Sequence, residues 1–208
     1  MAKSMMRLYL RVPNYPQVTL SQSPDSITRM NAGKMRLLKP FLRPDLTFLE
    51  VGAGDAKLSL AVCPHVRQVY GLDVAQEITG RVRGPANLKF VHSTGCDVPL
   101  PDESVDLAYS DQVMEHTHPD DAVAQLREIY RVLRPGGIYL CITPNRLSGP
   151  RDISRYFDEL ARGFHLREYS MGDLADIFHQ AKFSRVWVEK NKGGHRIRLS
   201  IGLMRFIE

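Results

Sequence analysis

Cysteine is scarce in this chain of 208 residues. Cys63, Cys96 and Cys141 are widely separated, odd in number and without the short spacings that metal-binding cysteines keep. A disulfide framework is therefore not expected, and a reducing compartment is. The three thiols read as small core or pocket-wall residues. Long apolar runs are missing too. Lys3 and Arg7 interrupt the opening stretch, no small-residue cleavage site follows, and no segment reaches bilayer-spanning length. Neither a secretory leader nor a membrane span is expected, and the chain reads as cytoplasmic. Nor is there a strong charge bias. Lys and Arg number 28 against 23 Asp and Glu, a formal net charge of +5, and that excess alone makes no case for nucleic acid. What remains, 43% hydrophobic and 25% charged residues, is the balance of one globular domain with a sizeable core.

No repeat or linker divides the chain. Residues 1–25, with Pro13, Pro16 and Pro24, read as an extended arm and a candidate lid, and 26–208 as the domain proper. A helix is expected after Ser26, ended by Pro40 and Pro44. Strands and helices then alternate. Thr47 to Val51, Gln68 to Asp73, Leu88 to Val91, Val105 to Tyr109 and Ile138 to Ile142 read as strands. Lys57 to Val62, Gln76 to Arg83 and a stretch from Pro119 read as helices. The last is the best marked, with Asp120 and Asp121 at its positive end and an apolar stripe of Val123, Leu126, Ile129, Tyr130 and Leu133. Arg134-Pro135-Gly136-Gly137 should stop it. Such alternation predicts an α/β fold, a doubly wound, mostly parallel sheet covered on both faces. The end of the chain differs. Ser170 to Asp173 resembles a capping box, Asn191 to Gly194 is turn chemistry, and Arg196 to Ile201 alternates polar with apolar. An antiparallel hairpin strand should close the domain.

Glu50-Val51-Gly52-Ala53-Gly54-Asp55-Ala56 falls where the first strand gives way to the first helix, and Asp73 ends the next strand about 20 residues on. Glycines there let a ligand approach the backbone, and an acid so placed accepts hydrogen bonds from ribose hydroxyls. A dinucleotide fingerprint would put a third glycine where Lys57 stands. A tight turn without ligand would not account for Glu50, the glycine pair and Asp73 together.

These motifs resemble those of the class I S-adenosylmethionine-dependent methyltransferases, most closely the group that includes the ubiquinone and menaquinone biosynthesis enzymes. The resemblance runs from about Phe48 to the C-terminus and implies a Rossmann-like domain. It implies that Glu50, Gly52, Ala53 and Gly54 bind the methionine part of the cofactor, with Ala56 in place of the usual last glycine. It places Asp73 on the ribose and Val74 beside the adenine. Thr94, Gly95 and Cys96 fall at the other adenine contact, where many members carry an Asp that Thr94 replaces. Ser110, Asp111 and Gln112 pass under the methionine moiety. Arg131 to Gly137 and Thr143-Pro144-Asn145 are similar to the signature around strand five. The implied reaction moves a methyl group from S-adenosyl-L-methionine to an acceptor and leaves S-adenosyl-L-homocysteine.

Alignment of a nucleophile with the methyl–sulfur bond can supply about 7–11 kcal/mol of such a barrier. A base is needed only where the acceptor must lose a proton. The resemblance sets His116 near the methyl end as the candidate base. It makes His165, Arg167 and Tyr169 candidate acceptor contacts, although a polar loop packing ahead of a helix cap reads equally well. Glu115, His116, His118, Asp120 and Asp121 invite a metal, but the acids suit a helix first turn and no closed ligand set is visible, so no metal is expected. Lys190, Lys192, Arg196 and Arg198 read as a solvated hairpin face, because aromatics for base stacking are sparse there. The leading expectation is a small-molecule acceptor (an O, N or C nucleophile), with nucleic acid disfavoured. RNA or protein methylation, a non-catalytic cofactor-binding protein and a dehydrogenase are the alternatives. The sequence leaves the oligomeric state open.

Overall fold

The computed structural model describes residues 24–156, 158–161, 163–192 and 195–202. Residues 1–23, including Tyr9, Arg11 and Tyr15 of the expected arm, lie outside them. Helix α1 spans Pro24–Leu38 and begins on proline, whose fixed φ suits a first helical turn. Five strands follow in alternation with helices. These are β1 (Thr47–Val51), β2 (Gln68–Asp73), β3 (Leu88–His92), β4 (Val105–Asp111) and β5 (Leu133–Ile142). Between them lie α2 (Lys57–Val62), α3 (Gln76–Thr79) and α4 (Pro119–Val132). The sheet order is β3-β2-β1-β4-β5 and every neighbouring pair is parallel. The expected α/β fold is thus the observed one.

Both faces of the sheet are covered, as continuous apolar strands require. Phe48, Val69 and Leu107 face Leu38 of α1 and Leu58 and Val62 of α2. Leu49, Leu72 and Ala108 face Ile129 and Val132 of α4. Every residue of β1 is buried, which makes it the spine of the domain. Its start is pinned by Asp106, whose Oδ2 accepts the Thr47 N–H at 2.8 Å and an Arg134 guanidinium N–H at 2.6 Å.

Two expectations need correction. The helix foreseen from Gln76 to Arg83 stops at Thr79. Only Thr79 on it is buried and Ile78 is exposed, so no apolar face holds further turns in place. The strand foreseen from Ile138 begins at Leu133 and takes in Arg134 to Gly137, which bulge out of register. Two steps along β4 (Val105 to Leu107) match five along β5 (Leu133 to Ile138), with Gly136 at φ +79°. Helix α4 does end where foreseen, since Pro135 bars a helical conformation at the residue before it.

The C-terminal part packs on the α4 side. Helix α5 spans Met171–Gln180, and β6 (Trp187–Lys192) pairs antiparallel with β7 (His195–Ser200) as a two-stranded sheet of their own. The foreseen capping box is complete. Ser170 Oγ accepts the Asp173 N–H at 3.1 Å, and Asp173 Oδ2 accepts the Ser170 N–H at 2.9 Å. Phe178 and Ala181 join Leu126, Ala122 and Tyr169 in one cluster. Among the described residues no helix is long and apolar enough to cross a membrane. Ser170→Ala should cost about 1 kcal/mol of stability, read as a lower urea midpoint at unchanged slope.

Candidate active site

In this strand order the chain reverses direction between β1 and β4, and the connections leave the carboxyl edge there. The glycine loop lies on that switch point. Gly52 and Ala53 donate their N–H groups to Leu72 O at 2.8 and 3.0 Å, which folds the loop back over β2. Gly52 sits at φ +76°, and a Cβ built there would come within 2.5 Å of Val113 Cγ2. Gly54 and Ala56 are also left-handed, at φ +51° and +56°. Asp73 Oδ2 accepts the Gly54 N–H at 2.7 Å and Oδ1 the Ala75 N–H at 2.8 Å, so one carboxylate joins the loop to the end of β2.

Glu50 is buried beneath the loop, where Ser59 Oγ donates to its Oε2 at 2.6 Å. Burial pushes its pKa from 4.5 up to about 7, against the opposing effects of Ser59 and the Lys34 ammonium. Lys34 of α1 reaches Asp111 Oδ2 at 2.9 Å, and the Tyr109 hydroxyl donates to the same oxygen at 3.3 Å. The end of β4 thus presents a carboxylate beside the glycine loop. Gln112 follows at φ +56° with its N–H bonded to Ile142 O at 2.9 Å, a strained turn that re-aims the chain over β5. Ser110 Oγ and the Tyr139 hydroxyl lie 2.7 Å apart, beside half-buried Cys141, whose thiol desolvation pushes up to about 11, so it stays protonated.

At the β3 end, Thr94 donates through both its N–H and its hydroxyl to Asp97 Oδ1, each at 2.8 Å. The hydroxyl therefore keeps only acceptor capacity for a ligand. Gly95 and Cys96 follow on the same turn, and Val74 is exposed just past Asp73. All twelve residues expected to hold the cofactor thus lie on the loops and strand ends of one edge. A cleft of about 380 Å³ lined by Phe41, Asp106, Arg134 and Gly136 opens at the opposite, amino-terminal edge and is not this site.

Beyond β4, a short turn, Met114–His116, carries Glu115 and His116. Burial pushes Glu115 up to about 7 and His116 down to about 4, so the imidazole is neutral near pH 7. His165, expected as an acceptor contact, is instead sealed in, 2% exposed. Its ring meets that of His116 edge-on with centroids 5.0 Å apart. Tyr169 is buried as well, with the Arg167 guanidinium 5.2 Å from its ring centroid; Arg167 also bonds Asp173 Oδ1 at 3.2 Å. His118 and Asp120 are not part of this cluster: His118 Nδ1 accepts the Asp120 N–H at 3.3 Å and caps α4.

Two residues that position the site escaped the sequence reading. Asp152, 6% exposed, accepts N–H groups from Ser154 on Oδ1 and from Gly163, Phe164 and His165 on Oδ2, at 2.8 to 3.1 Å. Burial works to raise its pKa, and these donors together outweigh it and hold it low. Glu168 Oε1 accepts from Arg151 N at 2.7 Å and from His165 Nδ1 at 2.6 Å. Acids in a loop give no periodic signal; only the fold of the loop onto them shows their use.

A glycine loop over the switch point of an open parallel sheet, with an acid at the end of the neighbouring strand, defines a nucleotide-cofactor domain. Residues 49–141 match the family model described as a methyltransferase domain. The chain is 34% identical over 136 residues to a probable S-adenosylmethionine-dependent methyltransferase of Mycolicibacterium smegmatis, covering 65% of this chain and 51% of that one. It is 29% identical over 170 residues to a demethylmenaquinone methyltransferase of Geobacillus kaustophilus, covering 68% and 72%. Its fold matches that of the Burkholderia thailandensis 1,6-didemethyltoxoflavin-N1-methyltransferase at a TM-score of 0.61 and 18% identity, over 95% of this chain and 85% of that one. That structure holds 1,6-didemethyltoxoflavin and S-adenosylhomocysteine. Residues 49–141 are thus similar to the methyltransferase domain of S-adenosylmethionine-dependent enzymes. The chain spans about half the length of the mycobacterial relatives it matches.

The site also yields a pH test. Folded Glu50 keeps its proton to about pH 7 and unfolded Glu50 only to its ordinary 4.5. Its contribution to stability is therefore full below about pH 4.5 and falls as pH rises through about 7. Glu50→Gln should remove that share. The variant's stability relative to wild type, from urea melts at a series of pH values, should rise between those limits; a constant difference would place Glu50 in a wetter setting.

Proposed function

We propose that this protein is a methyltransferase that takes its methyl group from S-adenosylmethionine and gives it to a small-molecule acceptor. The observation that carries the reading is the loop cradle: Gly52, where a side chain would collide with Val113, beside the Asp73 carboxylate. A ligand backbone can lie against Gly52, and Asp73 would exchange its backbone donors for two ribose hydroxyls. Glu50 and Asp111 would face the ammonium of the methionine part, with Ser110 and Gln112 beneath it. Val74, Thr94, Gly95 and Cys96 would border the adenine. When bound, the cofactor supplies a methyl on a positively charged sulfonium.

This chain's part is to hold donor and acceptor in line and keep water away. His116 is poorly placed as the base, because its Nε2 is buried and its Nδ1 is bonded to Phe164 O at 3.1 Å. We read it as positioning the segment after β4, so the acceptor should need little proton removal. Arg167, on the surface beside Tyr169, remains the candidate acceptor contact. The fold shared with an enzyme holding a small heterocycle, and the kinship with demethylmenaquinone methyltransferases, support a small acceptor. Arg198 of the hairpin is engaged by Glu189 at 3.0 Å and lies 5.0 Å from the Trp187 ring centroid, which favours a structural face over an RNA groove. The free cysteines fit a cytoplasmic setting.

Calorimetric titration should show saturable binding of both S-adenosylmethionine and S-adenosylhomocysteine. Hydrogen bonds to a charged group contribute about 1.5–3 kcal/mol each, so Asp73→Ala should weaken both by more than about tenfold. Gly52→Ala should do the same while the protein stays folded. A folded wild type that binds neither ligand overturns the reading; turnover only on RNA, falling with salt, moves it to nucleic acid.

A further inference from the structure

Three side chains converge where the segment after β4 meets the loop that precedes α5. One ligand-type atom each of Glu115, His116 and His165 lies within 4.8 Å of the other two. Glu115 is 0% and His165 2% exposed. Glu115 Oε1 and His165 Nε2 are buried, and neither has a hydrogen-bond partner among the described residues.

The neighbours fix which atoms carry lone pairs. His116 Nδ1 lies 3.1 Å from Phe164 O, a carbonyl that can only accept, so Nδ1 holds the proton and Nε2 is bare. His165 Nδ1 lies 2.6 Å from the Glu168 carboxylate and donates to it, so in the neutral ring Nε2 carries the lone pair. Thr143 Oγ1 donates to Glu115 Oε2 at 3.1 Å and leaves Oε1 as the unpartnered oxygen. The three side chains thus meet inside the protein. Burying Glu115 Oε1 and His165 Nε2 without a hydrogen-bond partner costs a few kcal/mol. The surrounding bonds resemble the outer shell of a metal site, where a carboxylate or carbonyl orients each ligating imidazole. Glu168 is itself fastened by the Arg151 N–H, and the loop carrying His165 is gathered on Asp152.

We propose that Glu115, His116 Nε2 and His165 Nε2 bind one divalent transition-metal ion of the zinc class. Two imidazoles and a carboxylate are a common ligand set for such ions and a poor one for magnesium or calcium. Ligands about 2.0–2.2 Å from a tetrahedral ion lie roughly 3.3–3.6 Å apart, so closure needs side-chain shifts of about 1.5 Å at most. The ion ties the segment after β4 to residues 163–168, the wall beside the candidate acceptor contact Arg167. With three protein ligands, it keeps a fourth position for water. The site does not rest on the methyltransferase reading, and its test needs no turnover.

The experiment uses the purified full chain, stripped with a chelator and titrated with Zn²⁺ against a chromophoric competitor, and separately with Co²⁺ by visible absorption. The expected result is uptake of one equivalent, the intense bands of a low-coordinate Co²⁺ site, a higher Tm, and no competition from Mg²⁺. Glu115→Gln and His165→Gln should each lower Zn²⁺ affinity by more than about a hundredfold, and Glu168→Gln by about 10–100-fold. His118→Gln should bind as wild type does. Circular dichroism identifies any variant that fails to fold, and the wild-type titration stands without the variants. Absence of stoichiometric uptake by folded wild type, or folded His165→Gln that binds as tightly as wild type, overturns the proposal.

Discussion

The parallel pairing of β1 with both β2 and β4 is the constraint from which the rest of the domain follows. Parallel neighbours cannot be joined by a tight turn, so each connection crosses a face of the sheet and returns to the same edge. The helices are forced outward, and the strand ends that matter gather on one side. β1 is buried along its whole length, so its exit offers no room for a bulky turn. The glycine loop follows from this, since the chain must reverse sharply where Leu72 and Val113 already stand close.

Polar side chains then fasten the edge that the sheet creates. Asp73 joins the loops after β1 and β2, Lys34 ties α1 to the end of β4, and Asp97 closes the loop after β3 on Thr94. Arg131 of α4 reaches Val98 O and Leu100 O and holds the stretch that leads into β4. Apart from Asp73–Ala75 and Asp97–Thr94, these bonds span 19 residues or more. They join connections that share only their position above the sheet, so the site is as ordered as the crossovers beneath it.

Sequence and structure agree most closely where the signal is local. The strand at Thr47–Val51, the cap at Ser170 and the acid at Asp73 each follow from neighbours a few residues away. The bulge in β5 was not legible, because Arg134 to Gly137 has turn composition and only its pairing with β4 shows that it extends the strand. Nor was the meeting of His165 with Glu115 and His116. The two segments are joined through Phe164 O, the Leu166 N–H on Glu115 O at 2.7 Å and the loop gathered on Asp152, none of which leaves a periodic trace. His165 was singled out as a polar loop residue; its burial is a property of the folded loop, not of its neighbours in sequence.

Ala56 shows what the last position of the glycine loop demands. It is left-handed at φ 56°, a conformation that costs an L-residue about 1–2 kcal/mol, yet its methyl group is fully buried. A buried methyl of this size is worth about 0.8 kcal/mol, which offsets much of that strain. Glycine and alanine are therefore close to interchangeable at this turn, and drift between them would go nearly unseen by selection for stability. What the position demands is a small side chain, not the absence of one. Loops of this kind are better recognised by smallness at their third position than by the letter found there.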